Sequence, residues 1–185
     1  MQTLLIYGHP DPKSSTANKT IIENLNRFVS NLRIRTLAVP GTSDRFDIAD
    51  EQTALRSADT VVLQFPLYWY SVPALLKEWI DTVLAHGFAY GTGGTALHGK
   101  KLVLSFTTGA DGTSYVKDGA MGWQVEDFLP PLLQTGRLCG FSSVEIVYST
   151  GMMVIPNVSS EKDRQNVLAK AVNHAERLAA VIADN

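Results

Sequence analysis

The sequence predicts an α/β protein with one parallel β-sheet and helices on both faces. Short apolar runs alternate along the chain with segments of helical periodicity. The apolar runs are continuous rather than alternating, which is typical of strands buried on both faces. Because parallel strands are joined by right-handed crossovers, successive helices cover the sheet. With 185 residues and 45% hydrophobic side chains, the chain is expected to form a single domain over residues 1–185.

Five strands are predicted from apolar, β-branched runs that are bounded by turn residues. The third of these runs is rich in β-branched and apolar residues, whereas the second alternates and is closed by Pro40 and Gly41. The predicted strands cover residues 3–7, 33–39, 60–65, 101–107 and 144–149.

Helices are predicted between the strands from apolar residues spaced three and four apart. The clearest helix has its apolar face at Val72, Leu75, Leu76, Trp79, Ile80, Val83 and Leu84. A first helix is expected around residues 21–32, a short one at 50–57, and a long C-terminal one that includes residues 168–182. The segment 125–138 is expected to be partly helical and to be broken by Pro130 and Pro131.

Five strands with five helices in fewer than 200 residues favour the flavodoxin-like strand order over the six-stranded dinucleotide-binding fold. In such sheets, ligands bind beyond the carboxyl ends of the strands. We therefore expect function in the loops that follow the first, third and fourth strands, at residues 9–18, 66–70 and 108–115.

The composition excludes several classes of partner and location. The net charge is −2 and the pI is near 6.1, so no nucleic acid or anionic membrane is expected as a partner. The apolar stretches are too short to span a membrane. With no signal-peptide pattern at the N-terminus and one cysteine, Cys139, the chain is expected to be cytoplasmic.

The first loop contains Ser14, Ser15, Thr16 and Asn18 at the start of a helix. Hydroxyl groups and free backbone N–H groups at a helix N-terminus can bind phosphate. Ordinary helix capping explains the same residues. The loop is not glycine-rich, which disfavours a pyrophosphate site of the dinucleotide-binding type.

The other two loops have different chemistry. Tyr68, Trp69 and Tyr70 follow the third strand and can either stack on a planar ligand or pack against the sheet edge or another subunit. The third loop, TTGADGTSY, has hydroxyl groups, glycines for close backbone approach, and Tyr115. A phosphate corner, an aromatic wall and a polar glycine edge together indicate a flavin mononucleotide site.

Competing motifs occur in the wrong context. The segment GTALHGK resembles a P-loop, but Lys101 follows where serine or threonine is needed, and a strand follows instead of a helix. The four histidines lack metal-ligand spacing, so no metal site is predicted. Cys139 is interpreted as a small core residue, and His174 as a solvated residue on the surface of the last helix.

Several of these segments resemble a known family. The stretches QFPLYWYSVPALLKEWIDTVLAHGFAYG and LSFTTGADGTSY resemble the NAD(P)H:quinone oxidoreductases of the DT-diaphorase family. IYGHPDPKSSTANK and GTALHGK are similar to its bacterial branch, which includes ancillary subunits of glutathione-gated potassium-efflux systems. The resemblance extends from Leu4 to about Gly151, and the C-terminal helix matches in kind only.

The resemblance implies a flavodoxin-like homodimer with one flavin per subunit. In the implied ping-pong scheme, NAD(P)H would first reduce the flavin by hydride transfer and then leave. A quinone would then be reduced by two electrons. The implied phosphate and ribityl ligands are His9, Ser15, Thr16, Ala17 and Asn18. The implied ring contacts are Pro66, Leu67, Tyr68, Trp69 and Tyr70, with Thr107, Thr108, Gly109 and Ala110 at the polar edge of the ring. Tyr115 matches a family tyrosine that stabilises charge on the reduced ring, and is the implied catalytic residue.

Two departures from the family refine these expectations. Ala110 replaces the second glycine of a TTGG run, and Met121 stands near the position of a catalytic histidine in the larger animal enzymes. The chain lacks the C-terminal extension of those enzymes, which favours FMN over FAD.

An electron-transfer flavodoxin is disfavoured because the chain is nearly neutral. The alternative function is that of a regulatory ancillary subunit of a potassium-efflux transporter.

Overall fold

The computed structural model describes residues 1–37 and 46–184 and contains a five-stranded, all-parallel sheet. The strand order is β2-β1-β3-β4-β5, which confirms the predicted flavodoxin-like order. The strands are β1 Thr3–Tyr7, β2 Leu32–Thr36, β3 Thr60–Pro66, β4 Lys101–Thr107 and β5 Ser143–Ser149.

Helices cover both faces of this sheet. On one face α1 packs beside α5, and α2, α3 and α4 cover the other. Short 3₁₀ turns lie at Gly112–Ser114 and Val125–Phe128. The helices are α1 Ala17–Phe28, α2 Ile48–Ser57, α3 Ala74–Val83, α4 Pro130–Leu138 and α5 Glu161–Ala183.

The predicted strands agree closely with the structure, and the differences lie at their ends. β1 and β4 have the predicted bounds, whereas β3 and β5 each gain one residue. β2 begins at Leu32, which the helical spacing had assigned to the first helix, because α1 ends at Phe28 and Val29 is extended. β2 ends at Thr36, where its pairing with Tyr7 of β1 stops. The predicted end of this strand at Val39 lies outside the described residues.

The segment 125–138 is partly helical and is interrupted at the two prolines, as predicted. The 3₁₀ turn Val125–Phe128 ends before Pro130, and α4 begins there. Both prolines occupy the first turn of α4. At these positions a helix has no partner for the backbone N–H groups, so proline removes no hydrogen bond, and its fixed φ favours helix initiation.

The prediction that His174 is a solvated surface residue was wrong. His174 is completely buried, and the hydroxyl oxygens of Ser105 and Ser149 lie 2.8 and 2.9 Å from its two ring nitrogens. The helical spacing explains the burial, because His174 lies between Ala171 and Ala175 on the face that packs against the sheet.

The two faces of the sheet differ near its carboxyl edge. On the face covered by α2, α3 and α4, strand residues such as Phe65 and Phe106 are apolar and stack at 5.4 Å. On the face covered by α1 and α5, buried valines give way to Gln64, Ser105 and Thr107. Polar side chains therefore line the end of the sheet where ligands bind in this fold.

Across residues 1–37 and 46–184, no helix has both the length and the apolar character required to cross a bilayer.

Candidate active site

A cleft of about 630 Å³ opens at the carboxyl edge of the sheet, beyond β1, β3, β4 and β5. Its size is that of a small-molecule site. The three predicted loops meet there, and the loop after β5 forms a further wall. The lining residues are His9, Ser14, Ser15, Thr16, Ala17, Asn18, Pro66, Leu67, Tyr68, Trp69, Thr107, Thr108, Gly109, Met152, Met153, Val154 and Pro156.

The start of α1 forms one end of this cleft. Thr16 is the N-cap residue, but its side chain makes no capping hydrogen bond, and the first turn contains no acidic residue. Ser14 nearby is turned toward its own loop, where its hydroxyl donates to the Asp11 carbonyl oxygen at 3.2 Å. The first-turn N–H groups and the positive end of the helix dipole therefore favour an anion at this end of the cleft.

His9 presents a neutral imidazole to the cleft. The backbone N–H of Asp11 donates to His9 Nδ1 at 3.0 Å, so the proton of the neutral ring lies on Nε2. Burial lowers the pKa of His9, and the nearby Asp11 offsets part of that effect. The ring also meets Tyr68 edge-on, with 6.1 Å between centroids. His9 can thus act as a hydrogen-bond donor of fixed orientation.

Trp69 and Tyr70 occupy a strained turn at the rim of the cleft. Reciprocal backbone hydrogen bonds of 3.0 Å between Tyr68 and Ser71 close the turn. Trp69 and Tyr70 have φ values of 49° and 63°, a conformation in which tight hairpin turns normally contain asparagine and glycine. A left-handed conformation costs an L side chain about 1–2 kcal/mol. The Trp69 side chain is nevertheless 92% exposed, so the turn holds an indole at the rim without burying it.

The loop after β4 supplies the polar edge of the cleft. The Thr108 hydroxyl donates to the Ala110 carbonyl oxygen at 2.9 Å, which folds the loop back on itself. A Cβ atom on Gly109 would lie 2.9 Å from Met153 Cε. Glycine at this position leaves room for the end of the Met153 side chain, which is flexible and exposed.

Three of the residues predicted for the site, Tyr70, Ala110 and Tyr115, are not among the residues that line the cleft. Tyr70 packs on Phe128 at 5.0 Å, and its hydroxyl contacts Met121 Sδ at 3.5 Å. Tyr115 is mostly buried and meets Phe128 edge-on at 6.4 Å. All the other predicted site residues line the cleft.

Five residues that line the cleft were not predicted from the sequence. Ser14 was noted in the loop but not included in the site, and the other four, Met152, Met153, Val154 and Pro156, follow β5. The rule that located the first three loops also applies to β5, because its carboxyl end lies at the same edge of the sheet. The signal for this loop was therefore present at the end of the predicted fifth strand.

The chemistry of the cleft is that of a binding site for a planar, anionic molecule. It combines N–H and hydroxyl donors with aromatic and thioether surfaces. Cys139 lies elsewhere, buried in the core, and burial raises the pKa of its thiol. This confirms the interpretation of Cys139 as a core residue.

Comparison with known proteins gives consistent matches over nearly the whole chain. A family model described as "Flavodoxin-like fold" matches residues 1–176. The match continues past Gly151, where the resemblance was expected to end, and includes most of α5. The chain is also 39% identical over 140 residues to general stress protein 14 of Bacillus subtilis (strain 168), covering 76% of this chain and 79% of that protein.

Two solved structures are similar over nearly their full lengths. The general stress protein 14 of Treponema denticola, solved in complex with FMN, is 32% identical with a TM-score of 0.81, covering 97% of this chain and 99% of that one. An NADPH-quinone reductase from P. pentosaceus is 30% identical with a TM-score of 0.76, covering 95% and 98% of the two chains.

Proposed function

This chain belongs to the family described by the flavodoxin-like fold, and we propose that it is an FMN-dependent NAD(P)H:quinone oxidoreductase. Two relatives support the proposal: one was solved with FMN, and the other is named an NADPH-quinone reductase. A transporter-regulating role has no comparable support. The protein acts as a single domain over residues 1–185.

The observation that carries the proposal is the convergence of three different chemistries on one cleft. The uncapped start of α1 suits a phosphate, the Trp69 turn suits a planar ring, and the segment Thr107–Gly109 suits the polar edge of that ring. The residues present therefore fit FMN. A volume of about 630 Å³ accommodates one such molecule and leaves an open side for a second planar reactant.

Each part of the cleft has a distinct role in this proposal. The first-turn N–H groups of α1, with Ser15 and the Nε2–H group of His9, bind the phosphate and ribityl chain. Pro66, Leu67 and Trp69 hold the ring and exclude water from one side. Bound FMN would supply the redox chemistry by accepting a hydride from NAD(P)H and passing two electrons to a quinone. NAD(P)H and the quinone occupy the same open side in turn, in a ping-pong scheme.

Tyr115 is proposed to stabilise negative charge on the reduced ring. Within the described residues its hydroxyl has no hydrogen-bond partner, and its ring is held by Phe128. In Tyr115→Phe we expect slower quinone turnover with little change in FMN affinity. Equal losses in both would make Tyr115 structural.

We also propose that a second copy of the chain covers the open side of the cleft. Large apolar side chains are exposed in the loops around it, including Trp69, Met153 and Val158. Exposed apolar surface of this kind marks interaction sites. Sedimentation equilibrium should give the mass of a dimer, and a monomer at micromolar concentration would contradict this part of the proposal.

The decisive experiment is cofactor binding followed by turnover. The purified protein should show flavin absorbance, or acquire it with FMN, and should reduce a benzoquinone with NADH or NADPH. Riboflavin, which lacks the phosphate, should bind at least about tenfold more weakly than FMN. Trp69→Ala should weaken FMN retention or quinone turnover, whereas Trp123→Ala, at another exposed tryptophan, should leave FMN affinity unchanged. A protein that binds neither FMN nor FAD would refute the proposal.

A further inference from the structure

A continuous series of hydrogen-bonded side chains crosses the protein from the cleft to the outer surface of α5. Most of its members are buried, and they lie on the sheet face covered by α1 and α5. In order from the cleft, the members are Thr107, Asn18, Gln64, Ser105, His174, Ser149 and Arg177. We call this series the polar chain.

The half of the polar chain nearest the cleft has a defined donor at each step. Asn18 Nδ2 donates to Thr107 Oγ1 at 3.1 Å. Gln64 Nε2 donates to Asn18 Oδ1 at 2.8 Å. The Ser105 hydroxyl donates to Gln64 Oε1 at 2.6 Å. All three donors therefore point toward Thr107.

In the half of the polar chain nearest Arg177, the donor of each hydrogen bond follows from the number of protons that each group carries. Ser105 has one hydroxyl proton, which goes to Gln64, so its oxygen must accept the bond from His174 Nε2 at 2.8 Å. Burial and the neighbouring Arg177 lower the pKa of His174 to about 3, so its ring is neutral and Nδ1 carries no proton. Nδ1 then accepts from the Ser149 hydroxyl at 2.9 Å, and Ser149 Oγ accepts from Arg177 Nη2 at 2.8 Å.

The polar chain thus has one direction throughout. It begins at a permanent cation, Arg177, and every donor points toward the cleft. It ends at Thr107, whose hydroxyl proton has no acceptor within residues 1–37 and 46–184. Hydrogen bonds aligned in this way polarise one another, which strengthens the last donor.

Simple filling of the core does not explain these residues. On the opposite face of the same strands, Phe65 and Phe106 are completely buried and need no polar partner. A buried polar network stabilises a fold no better than well-packed apolar residues do, and it is costly when it is incomplete. The retention of a complete network that leads to the cleft indicates a role at the cleft.

We propose that Arg177 and His174 are positioning residues that fix Thr107 as a hydrogen-bond donor into the cleft, where it stabilises negative charge at the ring edge of the bound cofactor. This rests on the proposed function, because it takes the occupant of the cleft to be FMN. The reduced form of that cofactor carries more negative charge than the oxidised form, so the polar chain favours the reduced form.

The direction of the polar chain can be tested on the protein without cofactor. Long-range ¹⁵N–¹H NMR correlations of the imidazole report which nitrogen carries the proton. We expect the Nε2–H tautomer for His174, and Ser149→Ala should leave that tautomer in place while perturbing Nδ1. A proton on Nδ1 would reverse the series of donors and overturn the proposal, whether or not the protein binds FMN.

The effect on the cofactor is tested by comparing the affinities for oxidised and reduced FMN. Thr107→Val and Arg177→Met should each weaken binding of reduced FMN relative to oxidised FMN, by about tenfold for Thr107→Val. Tenfold corresponds to a midpoint potential more negative by about 30 mV for a two-electron couple. Thr107→Ser, which keeps the hydroxyl, should restore the wild-type ratio.

Lys170→Met is the matched control for Arg177→Met. Lys170 is another exposed cation on α5, and it donates to the Thr150 carbonyl oxygen at 3.2 Å without belonging to the polar chain. Its loss should leave the ratio unchanged, which separates the polar chain from a general effect of charge. An unchanged ratio in Thr107→Val, or equal shifts for the two cation variants, would overturn the proposal. Failure to bind any flavin would instead refute the proposed function.

Discussion

The N-termini of α1 and α5 both follow strands of the same parallel sheet, yet their backbone N–H groups are treated in opposite ways. At α5, the Asp163 N–H donates to the Ser160 hydroxyl at 3.1 Å and the Ser160 N–H donates to the Asp163 carboxylate at 2.9 Å. Two acidic residues lie in this first turn. At α1, Thr16 makes no capping bond and the first turn has no acid.

The difference separates a structural helix start from one that is open to a ligand. The start of α5 satisfies its own donors and neutralises its own dipole, so changes there should alter stability alone. At the start of α1, beside the cleft, no side chain caps the backbone N–H groups and no acidic residue offsets the helix dipole. Changes there should therefore alter binding.

The largest expected effect is on the free energy of unfolding at acidic pH, which depends on the buried His174 of α5. The pKa of His174 falls from 6.5 to about 3 on folding, so the unfolded chain binds the additional proton. Stability is therefore full above about pH 6.5 and declines as the pH falls from there toward 3, by about 3 kcal/mol at pH 4.5. Urea unfolding across this range measures it.

His174→Gln should remove most of this pH dependence, whatever its effect on stability at neutral pH. His9, at the cleft, also has a pKa lowered mainly by burial and contributes with the same sign. His9→Gln should therefore remove a smaller part of the slope. Equal slopes in wild type and His174→Gln would show that His174 is not buried in its neutral form.

The second effect is on phosphate binding at the start of α1. Thr16→Asp places a good capping residue and a negative charge where the phosphate is proposed to bind. We expect FMN affinity to fall about thirtyfold, or about 2 kcal/mol, through repulsion and competition for the N–H groups. Riboflavin affinity and the stability of the protein without cofactor should not fall.

Ser160→Asp is the matched control, because it places the same residue at the start of α5. FMN affinity should remain that of the wild type, which calorimetric titration can establish. If Thr16→Asp weakens FMN and riboflavin equally, the phosphate does not lie at the start of α1.

The fold could be predicted almost completely because its signals are local. Buried parallel strands are continuous apolar runs, and the spacing of Leu76, Trp79 and Ile80 defines the face of α3 that packs on the sheet. The error at His174 arose because histidine is polar by composition, whereas its spacing places it within the apolar stripe of α5.

The site was predicted only as far as the loops that carry polar and aromatic residues, although the end of the predicted fifth strand pointed to a fourth loop. Met152 and Met153 resemble ordinary core residues, and only the position of β5 in the sheet brings them to the cleft. The polar chain was inaccessible for the same reason. Gln64, Ser105 and His174 are distant in sequence, and their hydrogen bonds depend on the register of β3 and β4 and on the docking of α5.

The third effect concerns the cap of α5. Ser160→Ala removes the acceptor of the Asp163 N–H and should lower the free energy of unfolding by about 1 kcal/mol. FMN affinity should not change. Thr16→Ala at α1 removes no capping bond, so its effect on stability should be only a few tenths of that of Ser160→Ala. A similar loss in both variants would mean that the two helix starts do not differ as described.

The smallest expected effect is on stability at the Trp69 turn. Like the start of α1, this part of the cleft is held in a costly state: Trp69 has a positive φ, and its indole is exposed. Asparagine tolerates a positive φ better than tryptophan, and the exposed indole makes no ring contact within the described residues. Trp69→Asn should therefore raise the free energy of unfolding by about 0.5 kcal/mol while weakening FMN binding or quinone turnover. Trp123→Asn, at an exposed tryptophan without a positive φ, should give no gain in stability. A strained residue whose relief stabilises the protein and impairs binding is one retained for its ligand. A loss of stability in Trp69→Asn would instead make the indole part of the structure.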